Sequence, residues 1–227
     1  MDSTFGDLTE MKFIKPERNI IEKSKYKLEC ECWRPYTDPV VSIVYWTRLK
    51  AIFNYLKNRR WKLILEIGCG YGFFLPSLCQ ISDKVIGSDI EDMFDFCEKV
   101  TLRKIQKNYA NLELKKADAR NLSDYIDEDS CDVIVAVSVL EHIDDYNRAL
   151  KEIRKCLKPD GIFVCVLPLE NWFYKLCKRL VGYRGDYHKH YNYERLHANL
   201  RRNFREVKKW NSPFGTPLFF TGIYERK

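Results

Sequence analysis

Apolar residues along this chain follow two alternating patterns, short unbroken runs and stripes at helical spacing. The runs are Leu63–Ile67, Lys84–Asp89, Leu112–Ala117, Cys131–Ser138 and Gly161–Leu167. Strands that are apolar almost throughout are buried on both faces, as in a parallel sheet. Between the last two runs, Tyr146, Ala149, Leu150, Ile153, Cys156 and Leu157 recur on one helical face, which predicts a helix over Asp145–Leu157. Pro159-Asp160-Gly161 is expected to end that helix and turn the chain into the fifth strand. An earlier helix is predicted to begin at Asp38-Pro39, a good N-cap followed by a residue suited to the first helical position. Val40, Ile43, Val44, Leu49, Ile52, Phe53 and Leu56 would form its apolar stripe up to Lys57.

After Pro168 the pattern changes. Residues 170–181 and 193–203 read as helices, and Phe204–Asn211 and Leu218–Glu225 as two strands paired across Ser212–Gly215. Strands alternating with helices, joined by right-handed crossovers, make an α/β fold. The expected architecture is Rossmann-like and doubly wound, a mostly parallel seven-stranded sheet with an antiparallel last strand. Residues 1–37 are polar and read as an N-terminal cap segment, 38–227 as the main domain, with 169–192 inserted into it.

Composition narrows the class. The chain has 227 residues, 45% hydrophobic and 31% charged, which is ordinary for a globular protein. The longest apolar stretches, Val133–Leu140 and Ile162–Leu169, are far shorter than the roughly 20 residues of a membrane-spanning helix. The first residues lack the basic and apolar regions of a signal peptide, so the expected location is cytoplasmic. Nine cysteines without a repeated CxxC point to buried free thiols; neither a metal site nor a disulfide framework is expected. The net charge of +7 is concentrated between Lys175 and Lys209. Such a segment suits an anionic acceptor, a nucleic acid or a membrane surface, or is simply a solvated helix face.

The chemistry-bearing motif is Glu66-Ile67-Gly68-Cys69-Gly70-Tyr71-Gly72, where the first strand is expected to meet the first helix, whose start would present free N–H groups. Glycines there let the backbone turn tightly and approach a ligand at the carboxyl edge of the sheet. The spacing is GxGxG, not the GxGxxG of dinucleotide-binding proteins. Further along come Asp89 and Ile90 at the end of the second strand, Asp118-Ala119 after the third, and Ser138-Val139-Leu140-Glu141-His142-Ile143 closing the fourth.

With these motifs in order, roughly residues 60–168 resemble the class I S-adenosylmethionine-dependent methyltransferases, and Leu140-Glu141-His142 with Leu157-Lys158-Pro159-Asp160-Gly161 resembles their type 11 subgroup. The subgroup's turn has Gly where this chain has Asp160. The resemblance implies S-adenosylmethionine as cofactor and S-adenosylhomocysteine as product, with 38–227 as the methyltransferase domain. It implies that Glu66, Gly68, Cys69, Gly70 and Gly72 lie against the methionine part, Asp89 holds the ribose hydroxyls and Ile90 lies on the adenine. Asp118 and the Ala119 N–H would meet the adenine edge, with Ser138 beside the cofactor.

The acceptor is less legible. The Asn/Asp-Pro-Pro-Tyr segment of amino-methylating enzymes is absent, as is a Pro-Cys nucleophile, which favours a small-molecule, lipid or glycan acceptor. Alternatives are a tRNA- or RNA-directed methyltransferase using the basic 175–209 segment, or a nicotinamide-dependent oxidoreductase. His142, His188 and His190 are the candidate proton acceptors, since histidine titrates near neutrality. Trp33, Tyr36, Trp172, Phe173 and Tyr174 are candidates for an apolar acceptor wall.

Overall fold

The computed structural model describes residues 34–91, 110–180 and 191–227. Among these, seven strands form one sheet: β1 (Trp61–Ile67), β2 (Ser82–Asp89), β3 (Leu112–Lys116), β4 (Cys131–Val137), β5 (Leu157–Pro168), β6 (Phe204–Ser212) and β7 (Phe219–Arg226). Their order is β3-β2-β1-β4-β5-β7-β6. The first five are parallel, while β7 runs antiparallel to both β5 and β6.

Residues of the central strands alternate between two apolar layers, as the two-residue period of a strand requires. Ile64, Val85, Val133, Val135, Val164 and Val166 face one layer, with Trp46, Leu49, Ile52, Phe53 and Leu56 of helix α2 (Val41–Leu56). Leu65, Ile67, Ile86, Ile134, Ala136, Phe163 and Cys165 face the other. There they meet Leu150 and Ile153 of α4 (Tyr146–Cys156) and Leu196 and Leu200 of α6 (Tyr193–Asn203). Covered on both faces, the sheet is doubly wound as expected.

Side-chain caps set the helix starts. Asp38 accepts the N–H groups of Val40 and Val41 ahead of α2, Asp145 that of Arg148, and Asn192 that of Arg195. Helix α1 (Arg34–Thr37) precedes α2, and α5 (Trp172–Leu180) follows β5.

Three expectations change. β5 begins at Leu157, directly from α4, and the expected turn at Pro159-Asp160-Gly161 is a bulge inside it, between the pairs Cys131–Leu157 and Val133–Ile162. The residue before a proline is pushed out of the helical region, and Leu157 is already extended, paired with Cys131. The helix after the glycine motif is only α3 (Leu75–Leu78), so the motif is a loop and no long helix start lies behind it. The apolar stripe of α2 is displaced at its start: Val40 and Ile43 are exposed, while Ser42, Trp46 and Arg48 are buried.

Candidate active site

The strand order reverses between β1 and β4, and ligands in such sheets bind outside the carboxyl ends of the strands at that point. A cavity of about 750 Å³ lies there. Its floor is the loop after β1 and the loop after β4, and it has two differently built ends.

One end is made by Glu66, Gly68, Cys69, Gly70, Asp89, Ile90, Asp118 and Ala119. Gly68, Gly70 and Gly72 have φ of 66°, 48° and 71°, the left-handed region that glycine enters without cost. At Gly68 a Cβ would stand 2.3 Å from Cγ2 of Val139, so the loops after β1 and β4 touch at that point. At Gly70 a Cβ would meet nothing within 4 Å, leaving a cradle of backbone open to the cavity. Asp89 shapes that cradle: its Oδ2 accepts the Gly70 N–H at 2.8 Å and its Oδ1 the Glu91 N–H at 3.0 Å. Ile90 stands exposed at the rim. Asp118 caps the 3-10 helix Ala119–Asp124, accepting the Arg120 N–H at 2.8 Å, and is gripped by the Arg120 guanidinium at 2.6 Å. That hydrogen bond holds the Asp118 carboxyl below the ordinary carboxylate range.

Glu66 is buried, and its Oε2 has no hydrogen-bond partner. Burial, then repulsion from Asp89, pushes its pKa up to about 8. A buried polar atom is normally satisfied, so this carboxyl is arranged for a donor arriving with a ligand. The open cradle, the orphaned carboxyl and the Asp89 carboxylate fit S-adenosylmethionine, which carries an ammonium and two ribose hydroxyls. Glu66, Gly70 and Asp89 are the residues that would hold it.

The other end is aromatic, walled by Tyr36, Tyr45, Tyr174 and Phe219. Arg48 of α2 is buried beneath these rings, 4.0 Å from the Tyr45 centroid and 4.5 Å from that of Phe219. Its Nη1 donates to Ser138 Oγ at 2.6 Å and its Nη2 to Tyr36 Oη at 3.3 Å, while Nε has no partner. Ser138 has φ of 55°, an uncommon conformation for a residue with a Cβ. Its hydroxyl is hydrogen-bonded to Glu141, a buried carboxyl whose Oε2 lacks a partner. Burial drives the Glu141 pKa up to about 8, against the lowering influence of Arg48 and Ser138.

Every described residue of the sequence-predicted cofactor set except Gly72 lines this one cavity. Ser138 lines it too, but with its hydroxyl turned to Arg48 and Glu141. His142 lines the rim as an exposed residue of the 3-10 turn Leu140–His142. Of the proposed aromatic wall, Tyr36 and Tyr174 are in place. Trp172 is instead 76% exposed and Phe173 packs on the apolar layer under α2, because α5 turns only one face to the body. Trp33, His188 and His190 lie outside the described residues. Arg48 and Glu141 were not among the candidates. Arg48 sits in an otherwise ordinary amphipathic stripe, and Glu141 is masked by its histidine neighbour. Cys69, Cys79, Cys131, Cys156 and Cys165 are buried free thiols.

A family model described as a methyltransferase domain, type 11, matches residues 65–165. The chain is 30% identical over 115 residues to a ubiquinone biosynthesis O-methyltransferase of Pelagibacter ubique, covering 49% of this chain and 43% of the relative. It is 31% identical over 121 residues to a demethylmenaquinone methyltransferase of Staphylococcus carnosus, covering 52% and 47%. The chain thus spans about half the length of the relatives it matches. A SAM-dependent methyltransferase from Aquifex aeolicus has the same fold, with a TM-score of 0.65 at 16% identity over 84% of this chain and 94% of that one. With the ordered motifs gathered on one cavity, residues 65–165 are a class I S-adenosylmethionine-dependent methyltransferase domain of type 11.

Proposed function

We propose that the protein transfers the methyl group of S-adenosylmethionine to a small-molecule acceptor with a planar ring. The observation that carries this reading is the two-ended cavity, polar and glycine-lined at one end, aromatic at the other. When bound, the cofactor supplies a methyl group on a sulfonium, a leaving group that is already activated. The protein's part is then to align the acceptor and exclude water. Glu66, Gly68, Cys69, Gly70, Asp89, Ile90, Asp118 and Ala119 serve the cofactor, and Gly72 closes the loop behind them, its N–H donating to the Cys69 carbonyl. Tyr36, Tyr45, Tyr174 and Phe219 serve the acceptor, with Ser138 at the join and His142 at the rim.

Two relatives are named for methylation in ubiquinone biosynthesis and of demethylmenaquinone, which supports a ring acceptor over a glycan. The family assignment replaces the nicotinamide alternative. Residues 1–37 and 169–192 complete the acceptor side in this reading: Arg34, Pro35 and Tyr36 from the first and Tyr174 and Lys178 from the second already line the cavity.

The test is transfer of label from methyl-labelled S-adenosylmethionine to a panel of catechols, hydroxybenzoates, hydroquinones, hydroxylated lipids, oligosaccharides and tRNA. Label in the ring compounds is the expected result. Label in tRNA alone would restore the nucleic-acid alternative, and absence of S-adenosylhomocysteine binding at millimolar concentration would remove the methyl-transfer reading.

A further inference from the structure

We propose that Arg48, Ser138 and Glu141 form a binding site for an ionisable hydroxyl on the acceptor ring, and that Glu141 takes the proton of that hydroxyl. The proposal rests on the methyl-transfer reading. It starts from two orphaned atoms of opposite character on either side of Ser138. Arg48 Nε is a buried donor without an acceptor, and Glu141 Oε2 a buried acceptor without a donor. Leaving such groups unmatched is costly, and both residues line the cavity. A hydroxyl answers both at once, since its lone pairs accept from Arg48 and its O–H donates to Glu141.

The surroundings select the kind of hydroxyl. Ring centroids of Tyr36 and Tyr45 are 5.4 Å apart, those of Tyr45 and Phe219 5.4 Å, and those of Tyr174 and Phe219 5.8 Å, a continuous aromatic wall. A planar phenol or catechol offers such a wall its faces and edges. The wall also keeps water from Arg48, so developing negative charge on the acceptor oxygen meets an unscreened guanidinium.

The step balances. The acceptor O–H bond breaks and its proton joins the Glu141 carboxylate. The oxygen forms a bond to the methyl carbon, and the carbon–sulfur bond breaks with its electron pair staying on sulfur. Glu141 then returns the proton to solvent. The contacts of the Ser138 hydroxyl with Arg48 and Glu141 help to offset the strain of its φ of 55° and fix it between them.

Glu141 must be ionised to accept the proton. The groups that face it are Arg48 on α2, Ser138 after β4, Cys165 in β5, Glu170 after β5, Tyr174 on α5 and Tyr191 ahead of α6. Arg48 and Ser138 favour its ionised form, whereas burial and Glu170 oppose it, which places its titration at about 8.

Catechol and its dimethyl ether serve as probes, titrated by calorimetry into the full chain with and without saturating S-adenosylhomocysteine. Catechol affinity is expected to rise as pH passes upward through about 8 in the wild type and to be flat with pH in Glu141→Gln. The ether, which has no proton to give, should bind about tenfold more weakly than catechol to the wild type. Arg48→Met should weaken catechol by about tenfold without moving the pH midpoint upward beyond what loss of a neighbouring cation requires. S-adenosylhomocysteine affinity and melting temperature report whether each variant is folded. Equal binding of catechol and its ether, a pH-flat wild type, or no catechol binding by protein that binds S-adenosylhomocysteine would overturn the proposal. Loss of S-adenosylhomocysteine binding alone would instead sink the methyl-transfer reading, and the titrations without it would still decide the hydroxyl site.

Discussion

The two ends of the cavity each present a buried glutamate pushed up to about 8, and they are built by opposite means. Around Glu66 the wall is backbone, with left-handed glycines and an open cradle pinned by Asp89. Around Glu141 the wall is side chain, with Arg48, Ser138 and four aromatic rings. A backbone wall depends on a few local residues, so it fits one ligand and is hard to vary. A side-chain wall is assembled from distant segments and can be rebuilt one residue at a time. The comparison teaches that one ligand face can be shaped by main chain from one short segment and the other by side chains gathered from several.

Gly68→Ala should break the backbone end hardest. It combines a left-handed φ with a Cβ 2.3 Å from Val139 Cγ2, so the loops after β1 and β4 must separate. We expect S-adenosylhomocysteine binding to be lost and the melting temperature to fall well beyond that of Gly70→Ala. Gly70 has only the backbone strain, about 1–2 kcal/mol, or roughly 2–8 °C for a chain of this size. Equal melting points for the two variants would mean the loops do not touch.

Glu66→Gln and Glu141→Gln separate the two ends by ligand and unite them by pH. The first should weaken S-adenosylhomocysteine by about tenfold or more, since an ammonium loses its charged partner. The second should leave that affinity within about twofold. Each wild-type carboxyl keeps a proton in the folded chain, between 4.5 and about 8, that the unfolded chain has released. Stability therefore falls as pH rises through that window. Both variants should flatten the fall and melt higher than wild type above about pH 8. A wild-type melting temperature that stays flat across the window would place both glutamates in solvent.

The same contrast explains what could be read from the chain before its fold. The sheet was legible because each central strand is an apolar run and the helices between and after them start at polar residues that cap them, Asp145 and Asn192. The cofactor end was legible because Glu66 to Gly72 are contiguous and the carboxylates follow strand ends. Arg48 and Ser138 are 90 residues apart and meet only because α2 packs over β4, which ends just before Ser138. No local pattern marks such a meeting. An arginine in the stripe of α2 is read as surface, yet it is 1% exposed. The start of β5 was misplaced for a local reason, because Pro159 stiffens an extended segment that also resembles a turn.

Asp89 and Asp118 carry the smallest of these contrasts, because both belong to the backbone end. Each already has partners within the protein, but of different kinds. Asp89 accepts two backbone N–H groups, one on each oxygen, and so leaves further lone pairs at the cavity it lines. Asp118 spends both oxygens on Arg120, with Nε 3.0 Å from Oδ1 and from Oδ2. Asp89→Ala thus removes a ligand partner and the anchor of the Gly70 cradle together. It should cost S-adenosylhomocysteine binding about 1–3 kcal/mol, the range for a buried hydrogen-bonding group left unmatched. Asp118→Ala should cost less, because its carboxylate has little capacity left for the adenine edge and the Ala119 N–H is retained. Arg120→Ala provides the discriminating measurement. Freed from the guanidinium, the Asp118 carboxylate can turn to the ligand, so this variant should bind S-adenosylhomocysteine as well as wild type or slightly better. If Arg120→Ala weakens binding as much as Asp118→Ala does, the pair acts as one structural clamp on the loop after β3, and the adenine is held by other groups.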